Sequence, residues 1–435
     1  LAVALQHLAR LADLSAAAPI GNHPTELALN YQQSGWLVDD AAIRAMGSVQ
    51  SKADSDAVGA AVRAVYLPWL EEAAVRLQNA AKAAGGLPQF DAGIDLKSSE
   101  PGVCTVFVDG LRYDVAQRLQ VKLQGLGVTK TGARWTSMPS VTASGKAWCS
   151  PVAKLVSGSA DDVEFEPRVA ADGKALSGHN FRKLLADSGV QPLDKHETGD
   201  PSGRGWTEAG DFDHYGHEHG IRLARDVDAQ LAQVVERVQE LLEAGWRRIR
   251  IVTDHGWLLI PGGMPKTDLP KHQAETRWGR CAVLKDTAHG TPLTFGWDWC
   301  KAVQVAYAPG VSSFIAGAVY THGGISLQEC LVPIIQLDCA GQTDTGVAVS
   351  IQSVTWKGLR CTVVVSGAVT GMKTDLRTKA AIADSSLVSR VKALEGGKAN
   401  LAVADDDHMG QAAVVVILGA DGQVIQKQVT TVGEQ

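Results

Sequence analysis

The sequence contains no stretch of about 18 apolar residues, which excludes a membrane-spanning helix of the usual kind. It has no Cys-x-x-Cys pair. Its seven cysteines (Cys104, Cys149, Cys281, Cys300, Cys330, Cys339, Cys361) are scattered and odd in number, so neither a disulfide framework nor a cysteine zinc site fits, and a reducing cytoplasm is expected. There is no excess of basic charge. Lys and Arg number 41 against 47 Asp and Glu, a net charge of -6, which argues against a broad nucleic-acid or membrane surface. No internal repeat and no low-complexity tract occur. The opening LAVALQHLARLADL has no Met, basic leader or small-residue cleavage site, and is expected to be the interior of a helix in a longer protein. What is present is 435 residues, 45% apolar and 20% charged: enough to bury a sizeable core, and enough chain for two or three domains.

Residues 1 to about 90 are Ala-rich with helical spacing. Ala57 to Leu67 and Trp69 to Ala83 read as two helical stretches, with Pro68 as a break or first turn between them. Gly85, Gly86 and Pro88 then form a linker. Gly102 to Asp109 (GVCTVFVD) predicts a buried strand, followed by a helix from about Tyr113 to Gln124. Ile221 to Ala244 predicts a long amphipathic helix stopped at Gly245, and Arg248 to Thr253 the next strand. Strands alternating with helices over residues 91–340 predict an α/β domain with a mostly parallel sheet. After a small polar run, Ala340 to Thr345, the pattern turns to period two, as in LRCTVVVSG and AAVVVILG, and predicts a small β-sandwich over residues 341–435.

Several segments gather ligand-type side chains at strand ends or in turns. Asp109 closes its strand ahead of Gly110, where open α/β sheets put their ligands. Asp254-His255-Gly256 directly follows another strand, and both side chains can turn to one ion. Asp213 to Gly220 (DHYGHEHG) holds three imidazoles, and Asp213 and His217 are one helical turn apart. His214 and His219 read as supporting or surface groups. His322 lies in a Gly-flanked turn before the apolar Leu331 to Leu337 run. Met138 to Lys146 puts Thr142 ahead of a predicted helix, with Ser140 and Ser144 as rival hydroxyls. Taken singly each has an ordinary reading: a turn, a helix cap, a polar loop.

Their joint order resembles the alkaline phosphatase superfamily, most visibly its nucleotide pyrophosphatase/phosphodiesterase branch. The shared pattern is Asp-Gly-Leu-Arg after the first strand (Asp109 to Arg112), Pro139-Ser-Val-Thr142, Asp213-x-x-Gly-His217, Asp254-His-Gly256 and a late His322-Gly323. Flanking features are similar to PglZ proteins, the phosphatase-like components of BREX phage-defence systems. They are Val108 to Val115 (VDGLRYDV), Arg277-Trp-Gly-Arg280, and Thr321 to Glu329 (THGGISLQE) running into Leu331-Val-Pro-Ile334. The helical lead-in and the period-two tail fit the same resemblance, which covers about residues 100 to 340 in its motifs.

This resemblance implies an alkaline-phosphatase-like core and a metal-dependent phosphoric ester hydrolase, with a phosphodiester (a nucleotide or nucleic acid) preferred over a monoester. It assigns Thr142 as nucleophile, Asp213, His217 and His322 to one divalent metal ion, and Asp109, Asp254, His255 and Thr142 to a second. Zinc is the expected metal, with Mn or Mg as alternatives. Lys146, Arg112 and Arg277 are candidates for holding phosphate oxygens, with Arg277 open between that role and bracing a loop. Other BREX proteins, such as the methyltransferase component, are the expected partners, and no membrane is. A non-catalytic scaffold of the same fold is the alternative. Cys149-Ser-Pro151 approaches a sulfatase motif but lacks its Arg, so sulfatase activity is rejected. Arg247, Arg248 and Arg250 are expected at a solvated edge, and Asp405 to Asp407 in an acidic turn.

Overall fold

The computed structural model describes residues 1–435 apart from 18, 89–99, 286–292, 340–348, 367–370, 381, 420–421, 423 and 434–435. The expected polar run Ala340 to Thr345 falls outside the described residues. Two compact units are present, Leu1–Asp338 and Cys339–Gln435.

The first unit is built on a six-stranded sheet. Its strands in spatial order are Val128–Trp135, Leu331–Asp338, Arg248–Val252, Val103–Phe107, Arg204–Glu208 and Gln191–Pro192. All five residues of Val103–Phe107 are buried, as is most of Arg248–Val252, because both faces of the sheet are covered; only the first of the two reads as a near-continuous apolar run, since the second alternates Arg with Ile. Val103–Phe107 pairs in parallel with Arg248–Val252 on one side and Arg204–Glu208 on the other. The sheet is mixed, because Leu331–Asp338 runs antiparallel to both of its neighbours. The chain reaches it through the short helix Leu327–Cys330, with no crossover that could carry it back to the far end of the sheet. Arg250 is buried, contrary to the solvated-edge expectation, since its strand lies between two others and has no free edge.

Helices Tyr113–Leu123 and Leu223–Glu243 cover the sheet close to where the sequence puts them, the latter entered through a tight turn at Gly220–Arg222. The N-terminal helices, among them Ala2–Leu14, Trp36–Gly47 and Lys52–Ala84, share one apolar cluster with the sheet. The break expected at Pro68 does not occur. Lys52–Ala84 is one helix of 33 residues, started by the Ser51 hydroxyl accepting from Asp54 N and ended at left-handed Gly85. Buried Tyr66, Trp69 and Leu70 clamp the helix on both sides of the exposed proline, and this packing overrides the local breaker. A second, antiparallel sheet of four strands (Thr294–Trp297, Cys300–Tyr307, Cys281–Leu284, Ala274–Arg277) follows in the same unit.

The C-terminal unit holds a three-stranded and a four-stranded antiparallel sheet. Alternate residues of Arg360–Ser366 and Lys398–Ala402 point into one apolar cluster that includes Trp356, Leu376, Leu401, Val415 and Ile417. Asp405–Asp407 lies in a turn in which the Asp405 carboxylate accepts from Asp407 N. No helix among the described residues is long and apolar enough to cross a membrane.

Candidate functional site

The carboxyl ends of the two central parallel strands deliver Asp109, two residues past Phe107, and Asp254 with His255, just past Val252. Thr142 is the first residue of helix Thr142–Trp148, Asp213 and His217 lie on helix Phe212–His219, and His322 follows the short strand Tyr320–Thr321. These segments meet. His255 Nε2 is 3.0 Å from Thr142 Oγ1, 3.4 Å from Asp254 Oδ2 and 3.6 Å from Asp109 Oδ1. Thr142 Oγ1 is 3.5 Å from Asp109 Oδ1. His322 Nε2 is 3.3 Å from Asp213 Oδ1 and 3.1 Å from His217 Nε2, and the His255 and His322 rings stack at 3.8 Å. Two groups are placed to hold cations, Asp109 with Asp254 and His255, and Asp213 with His255 and His322. His217 adjoins the second group and is half-exposed.

The donor set fits divalent cations on three observations. His255 Nδ1 faces the Gly256 carbonyl and His322 Nδ1 the Ser140 carbonyl, each at 3.0 Å. A carbonyl only accepts, so Nδ1 carries the proton in both rings and the Nε2 lone pairs face the cluster. Asp254 Oδ1 accepts from the backbone N–H groups of Gly110 and His255, while its buried Oδ2 has no hydrogen-bond partner. A buried carboxylate oxygen left bare beside a second carboxylate is costly without a positive charge to meet it. Imidazole nitrogen with carboxylate oxygen is, finally, a donor set that zinc accepts.

The charges are correspondingly displaced. Burial, then the neighbouring Asp254, holds the Asp109 carboxyl well above the usual range. Burial pulls the His255 imidazole down, but Asp254, Asp213 and Asp109 outweigh it and raise it to about 9. Burial, then His255, lowers His322 to about 4. Burial pushes Asp213 up, yet the three imidazoles around it bring its net shift below the ordinary carboxylate value.

Close packing sets these positions. In the Thr142 helix a Cβ on Gly145 would lie 2.7 Å from the Cβ and carbonyl oxygen of Asp254. A Cβ on Gly216 would lie 2.2 Å from the Tyr320 ring, which crosses that helix so that its hydroxyl donates to Asp213 Oδ1 at 2.8 Å. Trp257 Nε1 donates to the Gly110 carbonyl at 2.8 Å and ties down the Asp109 turn. Sequence reasoning missed Tyr320 and Trp257. Each lies two residues from a ligand-type histidine, and that adjacency was the available signal.

The rival hydroxyls are engaged elsewhere. Ser140 donates to the Gly324 carbonyl, and Ser144 accepts from Trp297 Nε1 at 2.7 Å; both are fully buried. Cys149 ends the Thr142 helix, its thiol pushed up by burial. His214 is exposed beside Glu218, and His219 packs on the Tyr215 ring.

The three cations singled out for phosphate part company. Arg112 is fully buried, pairs bidentately with Asp114 at 2.6 and 2.8 Å and lies 4.0 Å over the Trp257 ring. It has no face left for a substrate, and the expectation for it is corrected on that ground. Arg277 is exposed and donates to the Leu269 carbonyl at 3.0 Å, while its companion Arg280 is buried against Glu329 and braces the loop. Lys146 is half-buried one turn beyond Thr142.

No family model and no curated protein matches this chain. Among solved structures it is similar to murine ectonucleotide pyrophosphatase/phosphodiesterase 5. One structure of that protein is of an inactive variant in complex with AMP, at 11% identity, and another is at 12%. Each match has a TM-score of 0.35 and covers 54% of this chain and 87% of the other.

Proposed function

We propose that this chain is a metal-dependent phosphoric ester hydrolase whose nucleophile is Thr142. The observation that carries the reading is the unpartnered, buried Asp254 Oδ2 beside a Thr142 hydroxyl and two imidazole lone pairs. Asp109, Asp254, His255 and Thr142 would hold one divalent cation, and Asp213, His217 and His322 the other. Such cations, with zinc the best fit, acidify a hydroxyl and neutralise charge on a phosphoryl group. Thr142 Oγ1, having lost its proton to solvent, attacks phosphorus in line; the P–O bond to the leaving alcohol breaks and a phosphothreonine forms. Water then cleaves that ester, freeing phosphate or a phosphomonoester and restoring the hydroxyl. Tyr320 holds Asp213 in place through its hydrogen bond, and Nδ1–H of His255 and His322 fix ring orientation.

A phosphodiester such as a nucleotide or nucleic acid is the proposed substrate class, on the likeness of the Pro139 to Thr142 segment to phosphodiesterases. The PglZ-like motifs support a place in a BREX phage-defence system, beside its other proteins. Thr142→Ala should lower hydrolysis of bis-p-nitrophenyl phosphate by roughly 10³-fold or more while leaving bound zinc unchanged. Zinc lost together with activity would overturn the nucleophile assignment. An unaltered chain that binds no metal and hydrolyses nothing would leave the scaffold reading.

A further inference from the structure

Glu208 ends the strand beside Val103–Phe107, directly opposite Phe107 in register. Its Oε1 lies 2.7 Å from Lys146 Nζ. Lys146 lies on the same helix face as Thr142, one turn on, and its ammonium sits 5.0 Å over the Phe107 ring. Both side chains reach solvent, Lys146 at 30% and Glu208 at 54% exposure, so the pair stands at the rim and not in the core. The Lys146 charge is nevertheless felt at the Asp109 carboxyl.

We propose that Lys146 and Glu208 form a specificity element that favours phosphodiesters over phosphomonoesters. This rests on the hydrolase reading of the same site. A diester carries one negative charge, whereas a monoester carries nearly two above its second ionisation near pH 6. An unopposed ammonium one helical turn from Thr142 would favour the more highly charged substrate. With Glu208 bonded to it, the rim offers the second charge no net attraction, and the diester is discriminated against less. Arg112 and Arg280, the buried cations nearby in sequence to the site motifs, are each committed to a carboxylate and cannot restore the attraction.

The test measures kcat/KM for p-nitrophenyl phosphate and bis-p-nitrophenyl phosphate at about pH 8, with the zinc-loaded full chain. Glu208→Gln frees the ammonium, and the monoester-to-diester ratio should rise about fivefold. Lys146→Gln leaves the carboxylate unopposed, and the ratio should fall by about the same factor. Both changes should shrink at high salt, because the pair is exposed. Opposite movement of the two variants supports the charge mechanism, since a merely structural role would lower both activities together. Ratios that stay fixed or move in the same direction, with diester hydrolysis intact, overturn the proposal and leave the hydrolase reading standing. Absence of hydrolysis by the unaltered zinc-loaded chain would overturn both.

Discussion

Only one oxygen of the buried Asp254 carboxylate receives hydrogen bonds, and the other faces His255 with Asp109 close by. In the metal-free chain the positive charge that meets this carboxylate is the His255 imidazole, 3.4 Å from Oδ2. Asp254→Asn removes the first of the groups that raise His255, so it should lower the metal-free melting temperature by about 2–4 °C at pH 7 and abolish the rise that zinc produces in the unaltered chain. Thermal unfolding with zinc and with a chelator checks both halves; an unchanged or higher metal-free value would mean that this pair does not stabilise the fold. The titrations give a second expectation. His255 is raised from 6.5 to about 9, so its contribution to metal-free stability is complete below pH 6.5 and lost as pH rises through about 9. Asp109, also raised, acts in the same direction: its contribution is present below the ordinary carboxylate value and lost as pH climbs through its folded value. His322, lowered to about 4, contributes above 6.5 and loses that contribution as pH falls through about 4. Cation binding needs these ligands deprotonated, so the zinc-induced gain in melting temperature should grow between pH 6.5 and 9. Asp109, His255 and His322 each precede a glycine just past a strand, and it was their order along the chain together with Thr142, Asp213 and Asp254 that made the set legible. Arg112 was misread because its partner, Asp114, is two residues away on the next helix, and nothing in the spacing tells a buried pair from a free cation.

Helix Lys52–Ala84 carries its proline at an exposed position with no packing role. Pro68→Ala restores an N–H that can donate to the Ala64 carbonyl and removes the ring's clash there. The expected gain is about 1–3 kcal/mol, read from the denaturant midpoint. A loss of stability would mean that the proline is packed after all. Gly145→Ala should do the opposite of what helix propensity predicts. Its new methyl meets Asp254, so stability should fall by about 2 kcal/mol and diester hydrolysis roughly tenfold or more, even with metal bound. The helical halves around Pro68 were legible from their spacing, but their continuity was not, since it depends on Tyr66, Trp69 and Leu70 finding a core formed by distant residues. The reversed direction of Leu331–Asp338 was likewise hidden, because an apolar run has the same texture whichever way it points.

The two compact units each have their own apolar cluster. A chain ending at Asp338 should fold and keep the zinc-induced rise in melting temperature, and calorimetry of the full chain should resolve more than one transition. Loss of the zinc response on truncation would count against independence of the first unit. At this scale the alternation of strand and helix, and the later change to period two, were legible from hydrophobic spacing alone. The four-stranded sheet around Cys300–Tyr307 was not, its other three strands being only four residues long, too few to show a period.

Strand Leu331–Asp338 lies inside the central sheet, between Val128–Trp135 and Arg248–Val252, although it is the last of the six to be synthesised. Together with His322 just before it, this gives the first unit a definite order of birth. On the ribosome, everything up to residue 320 emerges with the edge strand Val128–Trp135 parted from the rest of the sheet and one imidazole short. The nascent polypeptide cannot close its sheet or complete the Asp213, His217 and His322 group until this stretch has left the exit tunnel, although the residues of the Asp109, Asp254 and His255 group have all been made by then.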